Sequence, residues 1–267
     1  MPPIGGLFMI DAVLKNKKVA FLDLDGTVYM GDRLFEGVSD FLGMLSRKNI
    51  PYYFLSNNSS RSKKDYVKKL TGMGIPAREE NILLSTDGVL VFLKNKDVDN
   101  IFLLGTASMR EMFQDAGIAA ESEKPEYIVL GFDTELVYDK LKKAALWIQK
   151  GIPLLVSHPD LVCPTPEGPI PDAGSMLALL ETATGKKAEK IFGKPNPEMI
   201  THILKKHRSS PRDAVMFGDR IYTDMELARR TGCDSVLLLS GETQPEDLGK
   251  LEYKPTLIAE SLGSLLG

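Results

Sequence analysis

The stretch "KKVAFLDLDGTVYMGDRLFEGV", residues 17–38, decides the fold. An apolar run opens it, two aspartates stand one residue apart where the run ends, and Gly-Thr stops it. Such a run, bounded by a turn signal, reads as a strand buried on both faces, the kind found in parallel sheets. Carboxylates at the end of a buried strand are costly unless something meets them. Side chains alternate along extended backbone, so Asp23 and Asp25 point to one side with their Cα atoms roughly 6.5–7 Å apart.

Working outward, similar runs recur at 51–56, 82–85, 190–193, 214–218 and 235–239, with amphipathic helical stretches at about 37–48, 61–73, 87–95, 197–207, 223–232 and 245–251. That alternation predicts an α/β fold, a doubly wound parallel sheet. A second βα series fills the middle, with strands at 101–105, 127–132 and 153–158. The polar segments "KNKDVDN" (94–100) and "TGKKAEK" (184–190) flank it and suit exposed linkers. The expected organisation is a discontinuous core at 1–97 and 189–267 with an inserted domain at 98–188. One continuous sheet of about nine strands is the alternative.

Composition narrows the function classes. The 267 residues are 43% hydrophobic and 26% charged, with a net charge of −3, so the chain can bury a core and lacks the basic footprint of a nucleic-acid binder. Two cysteines without CxxC spacing and three histidines make no zinc cluster. The opening segment lacks the basic region and long apolar core of a secretory signal, and no run approaches a membrane span. A cytoplasmic location without membrane association is the expectation.

In open parallel sheets ligands sit beyond the carboxyl ends of the strands. Four predicted core strands end in polar groups: "DLDGT" with Asp23 and Asp25, "SNNSS" with Ser56, Asn57 and Asn58, "FGKPNP" with Lys194, and "GDRIYTD" with Asp219 and Asp224. Each alone has a plainer reading: a turn, a helix N-cap before Arg61, a loop lysine, a chance Gly-Asp. Together they fit phosphoryl transfer through an aspartyl phosphate, in which a carboxylate attacks phosphorus. Carboxylate and phosphate ester repel, so a cation and fixed donors are needed, and Mg2+ suits hard oxygen ligands such as Asp23 and Asp219. Lys194, the Ser56 hydroxyl and backbone amides near Gly26 and Asn57 would stabilise the equatorial oxygens.

These motifs, with "LGTASM", "VLGFD" and "PDAGS" between them, resemble the haloacid dehalogenase superfamily, and its NagD-like, p-nitrophenylphosphatase-like branch in particular. The resemblance spans nearly the whole chain. It implies a Rossmann-like core with an inserted α/β cap, magnesium dependence, and hydrolysis of small phosphorylated metabolites. It further implies Asp23 as nucleophile and metal ligand, and Asp25 as general acid and base with its backbone carbonyl on the metal. Ser56, Asn57 and Asn58 would belong to the phosphate site, Lys194 would hold nucleophile and phosphate, Asp219 would ligate the metal, and Asp224 would fix the metal's waters. Relatives often pair through their caps, so the resemblance leaves a homodimer open, and the sequence does not decide the oligomeric state. A phosphotransferase or mutase would use the same residues, whereas a receiver-type phospho-aspartate switch has no use for a cap. Within the insert, Asp172 and Ser175 stand where a proline-rich loop opens a helix. They are either contacts to the substrate or caps of that helix.

Overall fold

The computed structural model describes residues 7–165, 167–251 and 253–267. The chain forms two compact units. The first comprises Met1–Ser56, Val67–Leu83 and Lys194–Gly267, and the second Asn57–Tyr66 and Leu84–Gly193.

The first unit is built on a six-stranded sheet whose spatial order is Leu257–Ala259, Asp234–Leu238, Ala214–Gly218, Val19–Asp23, Tyr52–Ser56, Ile82–Leu84. All five residues of Val19–Asp23 are buried, as expected of a central strand. It pairs in parallel on both sides, Leu22 with Phe217 and Asp23 with Leu55. That register brings Asp23, Ser56 and Asp219 out at one edge of the sheet. Helices cover both faces. Val38, Phe41, Leu42 and Leu45 form the buried stripe of Val38–Arg47, at i, i+3, i+4 and i+7, and Phe41 meets the Phe217 ring edge-on at 5.1 Å between centroids. On the opposite face Ile200, Ile203 and Leu204 of Glu198–Lys206 pack with Phe21, Tyr53, Leu55 and Met216. Neighbouring strand residues thus serve opposite cores, as a period of two requires.

The second unit has its own parallel sheet, ordered Lys190–Ile191, Leu154–Val156, Tyr127–Leu130, Ile101–Leu104. Leu103, Val129 and Leu155 pack on one side with Val89, Leu93, Phe113 and Phe192, while Leu104, Ile128, Leu130 and Val156 pack on the other with Ala144, Ile148, Leu177 and Leu180. Among the described residues the two sheets are separate and no single nine-stranded sheet forms.

Several expectations change. The run at 190–193, expected as a core strand, is the two-residue strand Lys190–Ile191, paired with Leu155 and Val156 of the second sheet. Phe192 is buried in the second unit's core, and this apolar contact decides where the segment belongs. The helix Ser85–Asn95 also contributes Val89 and Leu93 there, and the units divide at Ser56/Asn57, Tyr66/Val67, Leu83/Leu84 and Gly193/Lys194, where 97/98 and 188/189 were expected. The segment expected as a helix at 245–251 is a 3-10 helix, Pro245–Lys250. The helix Leu7–Leu14 and the buried strand Leu257–Ala259 were not expected. Among the described residues, no helix is long and apolar enough to cross a membrane.

Candidate active site

At the carboxyl edge of the first unit's sheet, Asp23, Asp219 and Asp224 are all buried and can present ligand atoms within 4.8 Å of one another. Strand register places the first two. A single π-helical turn, Ile221–Met225, places the third. Gly218, before this turn, admits no side chain, because a Cβ there would stand 2.4 Å from the Asp224 carboxyl.

Lys194, 2% exposed, reaches into the cluster with its ammonium against Asp23 Oδ1 and 2.8 Å from Asp224 Oδ1. Asp219 is held from two sides: Thr27 Oγ1 donates to its Oδ1 at 3.1 Å and the Glu242 amide to its Oδ2 at 2.7 Å. The loop "LSGET" (239–243) supplies that amide, and Ser240 Oγ ties the loop to the Gly26 carbonyl at 2.7 Å. Gly26 has φ +96°, and a Cβ there would lie 2.4 Å from Asp219 Oδ2, so the turn requires glycine. Its N–H donates to the Tyr29 carbonyl at 2.8 Å, which removes that amide from the expected phosphate donors.

Three carboxylates face one ammonium, and their proton affinities follow. Burial and then the neighbouring charges of Asp23 and Asp224 raise the Asp219 pKa well above the ordinary carboxylate value. Burial pushes Asp224 up to about 6 against the pull of Lys194. Burial alone would lower Lys194, but the carboxylates of Asp224 and Asp23 outweigh it and hold the ammonium charged. A cluster with surplus negative charge, hard oxygen atoms and this spacing fits a divalent cation, which would relieve the repulsion. Asp25 lies two residues beyond the end of the strand Val19–Asp23. Burial raises its pKa, Lys69 opposes that, and Tyr29 Oη donates to its Oδ2 at 3.2 Å.

The other expected site residues are placed as follows. Ser56 is buried at the end of Tyr52–Ser56. Asn57, the first residue of the second unit, donates through Nδ2 to Asp160 Oδ1 at 3.0 Å and accepts at its carbonyl from Ser85 Oγ at 2.8 Å. Asn58 closes a local turn by accepting from the Ser60 amide and hydroxyl. Asp172 is the N-cap of Ala173–Thr184, accepting from the Ala173 amide at 2.6 Å and paired with His158 Nε2 at 2.8 Å. Ser175 Oγ donates to the Leu161 carbonyl at 2.6 Å. With His158 and Asp160, Asp172 makes a second buried group of potential ligands. The sequence reading missed Tyr29, Lys69 and the loop 239–243; the small residues after the strand Asp234–Leu238 were the one available signal for that loop.

Comparison with known proteins shows which family the chain is similar to. Residues 20–119 match the family described as haloacid dehalogenase-like hydrolase, and residues 191–265 a second described as HAD-hydrolase-like. The crystal structure of a 4-nitrophenylphosphatase from Thermotoga maritima is 41% identical, covers 95% of this chain and 97% of its own, and superposes with a TM-score of 0.91. An acid sugar phosphatase of Staphylococcus haemolyticus is 29% identical over 91% of this chain and 93% of its own. A 5'-nucleotidase of Bacillus subtilis is 28% identical over 93% of this chain and 97% of its own.

Proposed function

The chain belongs to the haloacid dehalogenase-like hydrolases, in the branch of the NagD-like and p-nitrophenyl phosphatases, and we propose that it cleaves small phosphomonoesters through an aspartyl phosphate on Asp23, with magnesium as cofactor. The observation that carries the reading is the meeting of Asp23, Asp219, Asp224 and Lys194 in one buried cluster. Asp23 and Asp219 would hold the cation directly, with the Asp25 carbonyl, and Asp224 would hold its waters. When bound, the cation supplies neutralisation of carboxylate and phosphate charge.

An Asp23 carboxylate oxygen attacks phosphorus, the bond from phosphorus to the ester oxygen breaks, and the departing oxygen takes the Asp25 proton. The Asp25 carboxylate then accepts a proton from water as that water attacks the phosphorus of the aspartyl phosphate. The bond from phosphorus to Asp23 breaks, releasing phosphate and restoring the enzyme. A carboxyl raised by burial keeps its proton closer to neutral pH, which suits the first step. Lys194 sets its ammonium against Asp23 and faces the charge that develops on the phosphoryl oxygens. Ser56 and the Asn57 amide are the further phosphate donors.

The second unit acts as the cap that selects the organic part of the substrate. Aryl phosphates, sugar phosphates and nucleoside monophosphates are the classes to test, since relatives bear those names. The test is phosphate release over such a panel with magnesium, then with chelator. Release that needs the cation and is lost in Asp23→Asn is expected, and chelator-resistant release would overturn the cation's part in the reading.

A further inference from the structure

Four residues after Asp25 the chain turns back on itself: the Tyr29 amide donates to the Leu24 carbonyl at 3.2 Å and the Tyr29 carbonyl accepts from Gly26 at 2.8 Å. The turn leads into a short hairpin in which Tyr29 pairs with Leu34. The Tyr29 side chain is fully buried, and its hydroxyl donates to Asp25 Oδ2 at 3.2 Å. Lys69, from the helix Lys63–Gly72, sets its ammonium 3.8 Å from the centre of the Tyr29 ring.

We infer that Tyr29, polarised by Lys69, is a positioning residue that holds one oxygen of Asp25 so that the other faces the leaving group. This rests on Asp25 being the acid and base. A free carboxyl turns about its last torsion in a broad twofold well. A donor on a rigid ring with two torsions, anchored in the core, restricts that turn. A cation over the ring face draws electron density from the phenol and strengthens its O–H as a donor. Phenylalanine would fill the same volume, so packing alone does not require the hydroxyl. Proton transfer matters little to an ester whose leaving group is already stable as an anion, and much to an alkyl ester.

The experiment compares Tyr29→Phe, Lys69→Gln, Lys69→Arg, Asp25→Asn and the double variant Asp25→Asn/Tyr29→Phe on p-nitrophenyl phosphate and on an alkyl phosphate that the wild type hydrolyses. The expected kcat/KM for Tyr29→Phe, which reports phosphoryl transfer to Asp23 and not the later hydrolysis, falls about tenfold on the alkyl phosphate and about threefold or less on the aryl phosphate, and all the variants are compared by this ratio. Lys69→Gln shifts the same ratio in the same direction, Lys69→Arg restores it, and the double variant is no slower than Asp25→Asn alone. Equal losses on both substrates in Tyr29→Phe and Lys69→Gln, or additive loss in the double variant, overturn the inference while leaving Asp25 in its role. Should Asp25→Asn itself show no dependence on the leaving group, the acid and base reading fails, and the inference with it. Should Tyr29→Phe not fold, the Lys69 pair decides.

Discussion

The two units each bury a cluster of potential ligands, and the clusters differ in how their charge is met. In the second unit, Asp160 accepts from the Asn57 side-chain Nδ2, and Asp172 accepts from a helix amide while pairing with His158, whose other ring nitrogen lies 2.9 Å from the Ser157 hydroxyl. Ser157 continues through the Ser59 hydroxyl to the Phe132 amide. Donors answer acceptors along this chain of bonds, as a buried polar network must if it is to stabilise a fold. In the first unit, Asp23, Asp219 and Asp224 face one another with Lys194 among them, and burial and repulsion lift both Asp219 and Asp224. Buried acidic residues alone therefore do not mark a reactive centre. A surplus of carboxylates over the one ammonium among them is the better mark of a candidate site.

Breaking the first cluster has the largest expected effect. Asp23→Asn keeps the shape and loses the proposed nucleophile, so turnover should fall by at least about 10⁴-fold, with Lys194→Ala close behind. Phosphate release checks this, and near-normal rates in the lysine variant would make Lys194 an ordinary buried partner.

Breaking the second cluster should strike stability. Asp172→Ala removes a helix cap and leaves buried His158 without its acceptor, so unfolding free energy falls by about 2 kcal/mol in denaturant titration, with p-nitrophenyl phosphate turnover changed only a few-fold. A tenfold change in the ranking of natural substrates, with stability intact, would instead assign Asp172 and Ser175 to substrate recognition.

The surplus charge also predicts a pH dependence. The folded pKa of Asp224, about 6, lies above its ordinary 3.8, so its contribution to stability is present below 3.8 and is lost as pH rises through about 6. Without divalent cation, the melting temperature between pH 5 and pH 7 should decline more in the wild type than in Asp224→Asn. Added magnesium at pH 7 should raise the wild type more. Equal profiles for the two proteins would show that Asp224 carries no such charge.

The smallest effect belongs to the surface. Glu226 accepts from Arg229 and Arg230 at 2.6–2.7 Å, and those bonds, with the Arg229 bond foremost, hold it down at about 2. The group is solvated, so Glu226→Gln should cost less than about 1 kcal/mol, present above the ordinary 4.5 and lost as pH falls toward 2.

How much of this could be read from residues alone follows from the same contrast. Asp23 and Asp219 are legible because each stands at or just past the end of an apolar run, where a parallel sheet delivers side chains to one edge, and Asp224 because it closes the motif "GDRIYTD" that follows the second of these runs. Lys194 was found, yet its strand was placed in the wrong sheet, since Phe192 carries no mark of which core it enters. The three-residue strand Leu257–Ala259 is too short to show a period. The pairing of Asn57 with Asp160 spans 103 positions and only the fold brings it about. The tie from Tyr29 to Asp25 is local, but the direction of a phenol is set by packing that no spacing rule reports.

The most direct test of the central claim is to trap the intermediate. Enzyme mixed with excess p-nitrophenyl phosphate and magnesium is quenched in acid within the first turnovers and reduced with borohydride, and the digested chain is read by mass spectrometry. An acyl phosphate on Asp23 yields homoserine at position 23, in amounts that vanish in Asp23→Asn. Steady turnover with no reduced residue under conditions that trap an acyl phosphate, or reduction at another carboxylate, would contradict the account.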